Sequence, residues 1–386
     1  MRVLHVGKYF PPYAGGIENF CGDLLPALKK QGVEVAALVH QGPDEPSGEE
    51  DFSGFTVYRV PAYGRFFYTP LSPGFPGAFK RLVRDFRPDL IHFHLPNPSA
   101  FWALLLPSVR KIPWIVHWHS DVVSSKIERS LALAYQFYKP FEQLMLARAA
   151  VVICTSKPYM ESSLPLRKWR EKCRIIPLGI DPERYGRGQA GTEPGRDGLP
   201  VRLDKNNFNV LAVGRLTYYK GHEVLIRAAA GTRGVGIYIV GKGEKQKELE
   251  KLIETAGVAD KVTLAGFMPD HQLRALMERA DCLCLPSVER TEAFGLVLLE
   301  GMYYRKPLVA SDVAGSGMGW VVDDRETGFL VPPGDDQKLA GALQFLADDR
   351  GLAVETGRRG KEKFDRLFQI NRVAREVEKV YRRPGQ

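Results

Sequence analysis

Two glutamates, Glu292 and Glu300, stand eight residues apart in the segment Ser287-Val288-Glu289-Arg290-Thr291-Glu292-Ala293-Phe294-Gly295-Leu296-Val297-Leu298-Leu299-Glu300, directly after a short apolar run. If both lie on one helix, a rise of about 1.5 Å per residue separates them by roughly 12 Å. The paired acids of a glycosidase flank a single bond at about 5–10 Å, so a hydrolytic pair does not fit. The spacing suits two ends of one elongated ligand, with a sugar at Glu292 and a ribose at Glu300. The plain alternative is two solvent-facing helix acids.

A second group of charges lies in Gly214-Arg215-Leu216-Thr217-Tyr218-Tyr219-Lys220-Gly221, between an apolar run and a helix-like stretch. In doubly wound sheets the carboxyl ends of the strands are where ligands bind. An arginine fork and a lysine point charge on such a loop suit a diphosphate, against the alternative of two surface cations. Pro11-Pro12-Tyr13-Ala14-Gly15-Gly16-Ile17-Glu18 is the corresponding loop near the start, where two glycines before a helix let backbone amides approach a phosphate or a sugar. It is not G-x-G-x-x-G, and Gly241-Lys242-Gly243-Glu244 lacks the third glycine too.

Ile112-Pro113-Trp114-Ile115-Val116-His117-Trp118-His119-Ser120-Asp121 ends an apolar run on polar residues. Strand alternation puts His117 and His119 on one face. His119, nearer the loop, is the better placed to reach a ligand, with Asp121 to orient an acceptor or a neighbouring group; His92 and His94 read as structural. Gly266-Phe267-Met268-Pro269-Asp270 follows another run and offers backbone groups to a base. Metalloprotease, P-loop and serine-hydrolase motifs are absent, as is a D-x-D at a strand end.

The elements that must carry these residues are legible as short apolar runs alternating with helix-like stretches, the pattern of parallel sheets with crossover helices. Runs at Val3–Val6, Val33–Val39, Leu90–Phe93, Trp114–Trp118, Val151–Cys154 and Arg174–Pro177 predict one sheet of about six strands. Asn209–Val213, Gly236–Val240, Val262–Leu264, Cys282–Leu285, Leu308–Ala310 and Gly328–Val331 predict another. The expected organisation is a first domain over 1–182, a Gly- and Pro-rich linker over 183–206, a second domain over 207–350, and a helical tail over 351–386 that returns to brace the first domain.

The 386 residues exceed what one core usually organises. The composition, 44% hydrophobic and 26% charged, is that of a soluble globular protein. The 54 Lys and Arg against 45 Asp and Glu give a net charge of +9 and draw anionic partners, but no aromatic and basic readout motif points to nucleic acid. Five cysteines without framework spacing fit a reducing compartment, with Cys282 and Cys284 as core. The start reads as a strand and not a signal peptide, so a cytoplasmic location is expected. Residues 65–71 and 75–87, basic and aromatic, read as surfaces for an anionic membrane, or else as a loop folded over its own domain.

Together these segments resemble glycosyltransferase family 4, nearly end to end. The resemblance is carried by Glu292 to Glu300 with Phe294-Gly295 inside it, by the Gly214-Arg215 to Lys220-Gly221 loop, by Gly15-Gly16, and by Ile176-Pro177-Leu178-Gly179-Ile180-Asp181. It implies an α/β chain of the GT-B fold, two facing Rossmann-like domains with a cleft between them, and retaining transfer of a hexose from a nucleotide-diphosphate sugar without metal or cofactor. It implies that Arg215 and Lys220 neutralise the diphosphate and that Glu300 holds the ribose. Glu292, with Phe294, Gly295 and Leu296, would hold the sugar. Gly15 and Gly16 would meet the phosphates, Phe267 and Met268 the base, and His119, with Asp121 near it, the sugar close to its reacting carbon. His119-Ser120-Asp121 resembles members that build bacterial surface polysaccharides or glycolipids, often from GDP-mannose, with UDP-hexoses open as donors and a glycan or polyprenyl-linked sugar as acceptor. A sugar phosphorylase or epimerase on the same fold, or a non-catalytic nucleotide-sugar-binding protein, stands as the alternative.

Overall fold

Continuous apolar strands need cover on both faces, and this chain supplies it with helices after almost every strand. The computed structural model describes residues 1–43, 45–66, 69–122, 129–186, 201 and 203–383. It forms two units, Met1–Ile180 with Ile370–Gln386, and Asp181–Gln369.

The first unit holds β1 (Arg2–Val6), β2 (Glu34–His40), β3 (Gly48–Phe52), β4 (Phe55–Val60), a small hairpin of β5 (Arg65–Phe66) and β6 (Thr69–Pro70), β7 (Leu90–Leu95), β8 (Trp114–Trp118), β9 (Val151–Cys154) and β10 (Cys173–Ile175). Its main sheet has eight strands in the order β10-β9-β8-β7-β1-β2-β4-β3, parallel except for β3. Sequence reading expected about six. The two it missed are β4, whose apolar positions alternate, and β3, an acidic strand (Gly-Glu-Glu-Asp-Phe) that closes the edge with charge.

The second unit holds β11 (Phe208–Val213), β12 (Val235–Val240), β13 (Val262–Gly266), β14 (Cys282–Leu285), β15 (Leu308–Ser311) and β16 (Gly328–Val331). They form an all-parallel sheet in the order β13-β12-β11-β14-β15-β16. Cys282 and Cys284 lie in its core, and all five cysteines are buried and unpaired.

Three expectations need correction. The proposed linker begins as structure, because Pro182–Gly186 is a helix whose Tyr185 packs on Tyr303 and Tyr304 within the second unit; residues 187–200 and 202 lie outside the described residues. The tail is not one element. Helix Arg350–Leu367 belongs to the second unit, where Gly357 passes so close to Arg305 that a Cβ would come within 2.0 Å of its carbonyl oxygen. Only helix Ile370–Arg382 lies with the first unit, burying Ile370, Val373, Val377 and Tyr381. Finally, Phe75 and Phe79 of the segment 75–87 do not face outward. Helix Phe75–Phe86 turns Phe75, Phe79 and Val83 into the core, since apolar residues at helical spacing are best satisfied there, and leaves Phe86 half-buried beside its exposed basic residues. Of the segment 65–71, residues 67 and 68 lie outside the described residues.

Helix Arg129–Arg148 carries a fully buried acid, Glu142, which accepts from the Tyr135 hydroxyl at 3.1 Å. Burial raises its pKa from 4.5 to about 7 against the opposing pull of that hydrogen bond. A carboxyl with a raised folded pKa stabilises fully below its unfolded pKa and loses that contribution as pH rises. Glu142→Gln is therefore expected to raise the first unit's stability at pH 8 by up to about 3 kcal/mol and to leave it unchanged at pH 4.5. Calorimetry at the two pH values checks this; equal shifts at both would show that the carboxyl is not held neutral.

Candidate active site

In the second unit β11 ends at Val213 and the chain passes through Gly214 into the loop that carries Arg215 and Lys220. Gly221 closes this loop at φ +67°, where a Cβ would sit 2.0 Å from the Pro286 carbonyl oxygen, so only glycine fits. Gly241 and Gly243, inconclusive in sequence, have a packing role. A Cβ at either would come 1.9 Å from Gly214 O or 2.2 Å from Leu216 O, so these glycines let the loops after β11 and β12 touch backbone to backbone. Leu216 N donates to Lys242 O at 3.0 Å across that contact.

Lys220 is the centre of this cluster. Its Nζ donates to Glu292 Oε2 at 2.5 Å, and both side chains are only 13% exposed. Burial opposes the charge on Lys220, but the Glu292 charge, Tyr219 and the Glu292 hydrogen bond outweigh it, so its pKa lies above the ordinary lysine value. Ser287 Oγ donates to the same carboxylate oxygen at 3.4 Å. Arg215 is 60% exposed and pairs with Glu244 at 3.4 Å, a contact too solvated to fix it. The structure thus brings the loop cation and the first acid together, which spacing alone did not predict.

It also corrects the helix on which the two acids were placed. The helix runs Leu296–Tyr303, entered through Gly295 at φ +80°, and Glu292 lies in the preceding loop. A rise per residue cannot be applied across that turn. Phe294 is buried against Trp320 and Phe368, so only its backbone faces outward chemistry. Glu300 is half-buried and accepts from Tyr185 at 3.0 Å. Burial raises its pKa, countered by Arg184 and by the Tyr185 hydrogen bond. Phe267 is 60% exposed with Lys242 Nζ 5.6 Å above its ring, whereas the Met268 side chain is buried.

In the first unit the loop after β1 leads to helix Gly16–Lys30. Space around Gly16 is open, while Glu18 folds back so that a Cβ on Gly15 would meet its Oε2 at 2.1 Å. Glu18 is buried, which raises its pKa, and its own backbone N–H offsets part of that rise. A residue missed in sequence holds this loop. Buried Arg59 pairs with Glu45 at 2.7 Å and Glu50 at 2.8 Å and donates to Pro11 O at 2.6 Å. The available signal was its inward position in β4, alternating with Phe55 and Val57, close in sequence to a run of acids.

His119 is not alone. His5 stands opposite His92 in the β1 and β7 register, His94 opposite His117 in β7 and β8, and His119 follows β8. The rings form a buried stack with hydrogen bonds of 3.0 Å between His5 Nδ1 and His94 Nε2 and 2.9 Å between His94 Nδ1 and His119 Nε2. Tyr381 closes the other end, its hydroxyl 2.6 Å from His92 Nδ1 and 3.4 Å from His5 Nε2. Burial drives the pKa of all five rings well down, so each stays neutral. Three ring nitrogens at a time come within 4.8 Å, yet the His94, His117 and His119 planes are within 22° of parallel. Lone pairs in those parallel planes do not converge on one ion; His5, His94 and His119 form a hydrogen-bonded ladder, with His117 stacked beside it. His119 is only 4% exposed and its Nδ1 edge has no protein partner among the described residues. Asp121 is committed locally, accepting from Trp118 Nε1 at 2.8 Å and Ser163 Oγ at 2.6 Å.

The sequence matches the Glycosyl transferase 4-like domain over residues 15–179 and Glycosyl transferases group 1 over 200–363. It is 29% identical to O-antigen chain mannosyltransferase C of Escherichia coli, covering 97% of this chain and 96% of that protein. It is 30% identical to D-rhamnosyltransferase WbpZ of Pseudomonas aeruginosa, covering 95% and 92%. Sucrose-phosphate synthase from Thermosynechococcus elongatus is similar in structure, with a TM-score of 0.80 at 26% identity over 99% of this chain and 98% of that one. With two Rossmann-like units and these relatives along its length, the chain belongs to glycosyltransferase family 4 and has the GT-B fold.

Proposed function

We propose that this glycosyltransferase moves a hexose from a nucleotide-diphosphate sugar to a lipid-linked or saccharide acceptor in surface polysaccharide or glycolipid synthesis, with retention of configuration and without metal or cofactor. GDP-mannose is the favoured donor and a UDP-hexose the alternative. The observation that carries the reading is the largely buried Lys220–Glu292 pair beside Gly214. Without ligand, Glu292 balances Lys220. A diphosphate takes over the lysine and leaves the carboxylate to accept from sugar hydroxyls. Breaking the sugar–phosphate bond builds negative charge on the diphosphate, and a fixed cation there favours the transition state over the ground state. Arg215 adds a mobile second cation, Glu300 serves the ribose, and Phe267 offers a face to the base. Support for the mannosyl donor comes from mannosyltransferase relatives, O-antigen chain mannosyltransferase C among them.

The test is a thermal-shift and hydrolysis screen against GDP-mannose, UDP-glucose, UDP-galactose and the UDP-N-acetylhexosamines, because a ligand that binds only the folded state stabilises it. One donor is expected to stabilise the protein and to release its nucleotide slowly; no response to any donor, GDP or UDP would overturn the reading. In the same screen Glu300→Ala should weaken nucleotide binding about tenfold or more, since it removes a charged hydrogen-bond acceptor. Unchanged affinity by calorimetric titration would remove Glu300 from the site.

A further inference from the structure

Helix Arg129–Arg148 leaves an apolar stripe uncovered. Leu133, Phe137, Phe141 and Leu144 are 66%, 72%, 45% and 54% exposed. At about 100° per residue they fall within a single band along the helix. The segment Pro98–Leu104 lies beside it, with Phe101 stacked on Phe141 at 5.6 Å; its Trp102 and the following Leu105 are 41% and 65% exposed. On another flank Gln143 binds Pro165 O at 3.1 Å and Trp169 Nε1 at 2.9 Å, bringing up a segment whose Leu164 is 80% exposed. Soluble folded proteins rarely leave so many large apolar groups together in water unless something covers them.

Charge identifies the cover. Residues 98–175 carry twelve of the lysines and arginines against five acids, and so hold seven of the chain's nine net positive charges. Exposed Arg110 and Arg148 sit at one end of the stripe, joined by the bond from the Arg148 guanidinium to Arg110 O. Arg167, Lys168 and Arg170 are exposed on the flank that carries Leu164, where the acids are Glu161 and Glu171. A second copy bound about a two-fold axis would set this cationic surface against itself. An anionic bilayer satisfies both features, taking the apolar side chains into the headgroup boundary and the cations onto its phosphates. We infer that the face formed by helix Arg129–Arg148 and segment 98–105 docks this protein on an anionic membrane surface. The inference rests on the proposed lipid-linked acceptor for its purpose, and it assigns the contact to helix Arg129–Arg148 and segment 98–105 instead of to helix Phe75–Phe86.

The experiment is co-sedimentation of the full chain with vesicles of phosphatidylglycerol and phosphatidylethanolamine, or of phosphatidylcholine alone, alongside sedimentation velocity without lipid. Wild type is expected to bind the anionic vesicles at least tenfold better, less so at high salt, and to be monomeric. Phe137→Glu with Leu144→Glu should lose at least tenfold of that binding while thermal unfolding and donor-sugar hydrolysis stay within twofold of wild type. Absence of wild-type binding to anionic vesicles, equal binding by the double variant, or a wild-type dimer that the variant dissociates would each overturn the assignment. Failure of the transferase reading would appear separately, as no donor hydrolysis by a protein that still binds vesicles.

Discussion

Acidification from pH 7.5 to 5.5 is expected to unfold the first unit well before the second. Six of the eight histidines, His5, His40, His92, His94, His117 and His119, lie in the first unit, and all have lowered pKa values, for which burial is the first cause. The second unit contains one such residue, His222, lowered to about 4. A histidine held neutral in the fold contributes stability above its unfolded pKa of 6.5, and that contribution is lost as pH falls, because the unfolded chain takes up the proton. One pH unit below 6.5 the loss is about 1.4 kcal/mol for each ring, or about 8 kcal/mol for six. Glu142, with its pKa near 7, works in the opposite direction and returns about 2 kcal/mol over the same interval. Glu18 adds a smaller relief of the same sign. The remainder, on the order of 5 kcal/mol, is comparable to the whole stability of a typical domain. Scanning calorimetry at the two pH values should show one transition falling steeply while the other moves little. Two transitions that shift together would mean that the ladder is protonated, or solvated, in the folded state.

The second large effect concerns Lys220. Lys220→Ala is expected to lower kcat/KM for sugar transfer by at least about 100-fold, the scale seen when one fixed partner of a developing negative charge is removed. It should also destabilise the second unit by a few kcal/mol, since Glu292 is left largely buried without its counter-charge. The two effects are separable. Adding Glu292→Gln removes the stranded charge and should recover most of the stability without recovering the rate. Initial-rate kinetics and thermal unfolding of the single and double variants decide the matter. Recovery of rate together with stability would make the pair a structural ion pair and remove it from the chemistry.

Much of the architecture was written locally. Twelve apolar runs between turn residues mark strands because a strand covered on both faces has no polar side to show. What escaped was local structure whose reason is not local. β3 is acidic because it is an edge, and being an edge depends on the seven strands beside it. Glu292 read as helical because its apolar neighbours continue the helix pattern, but Gly295 at positive φ starts the helix four residues later. Phe75 and Phe79 looked exposed because their charged neighbours are; the helix period places them on the opposite side.

The sequence by itself determined the chemical vocabulary: an arginine and a lysine on a loop after a strand, two acids around a Phe-Gly step, and paired glycines before a helix. Those types and spacings persist whatever the packing. Tertiary structure decided which of them meet. Lys220 and Glu292 are 72 residues apart in the chain and 2.5 Å apart in space, because β11 and β14 are neighbours and their following loops emerge at the same edge. His119 became one end of a ladder through His94 and His5 to Tyr381, since β1, β7 and β8 lie side by side and the last helix returns over the first unit's sheet. Parallel strands join residues distant in sequence, so contacts that set charge, tautomer and pKa arise only when the sheet order is fixed.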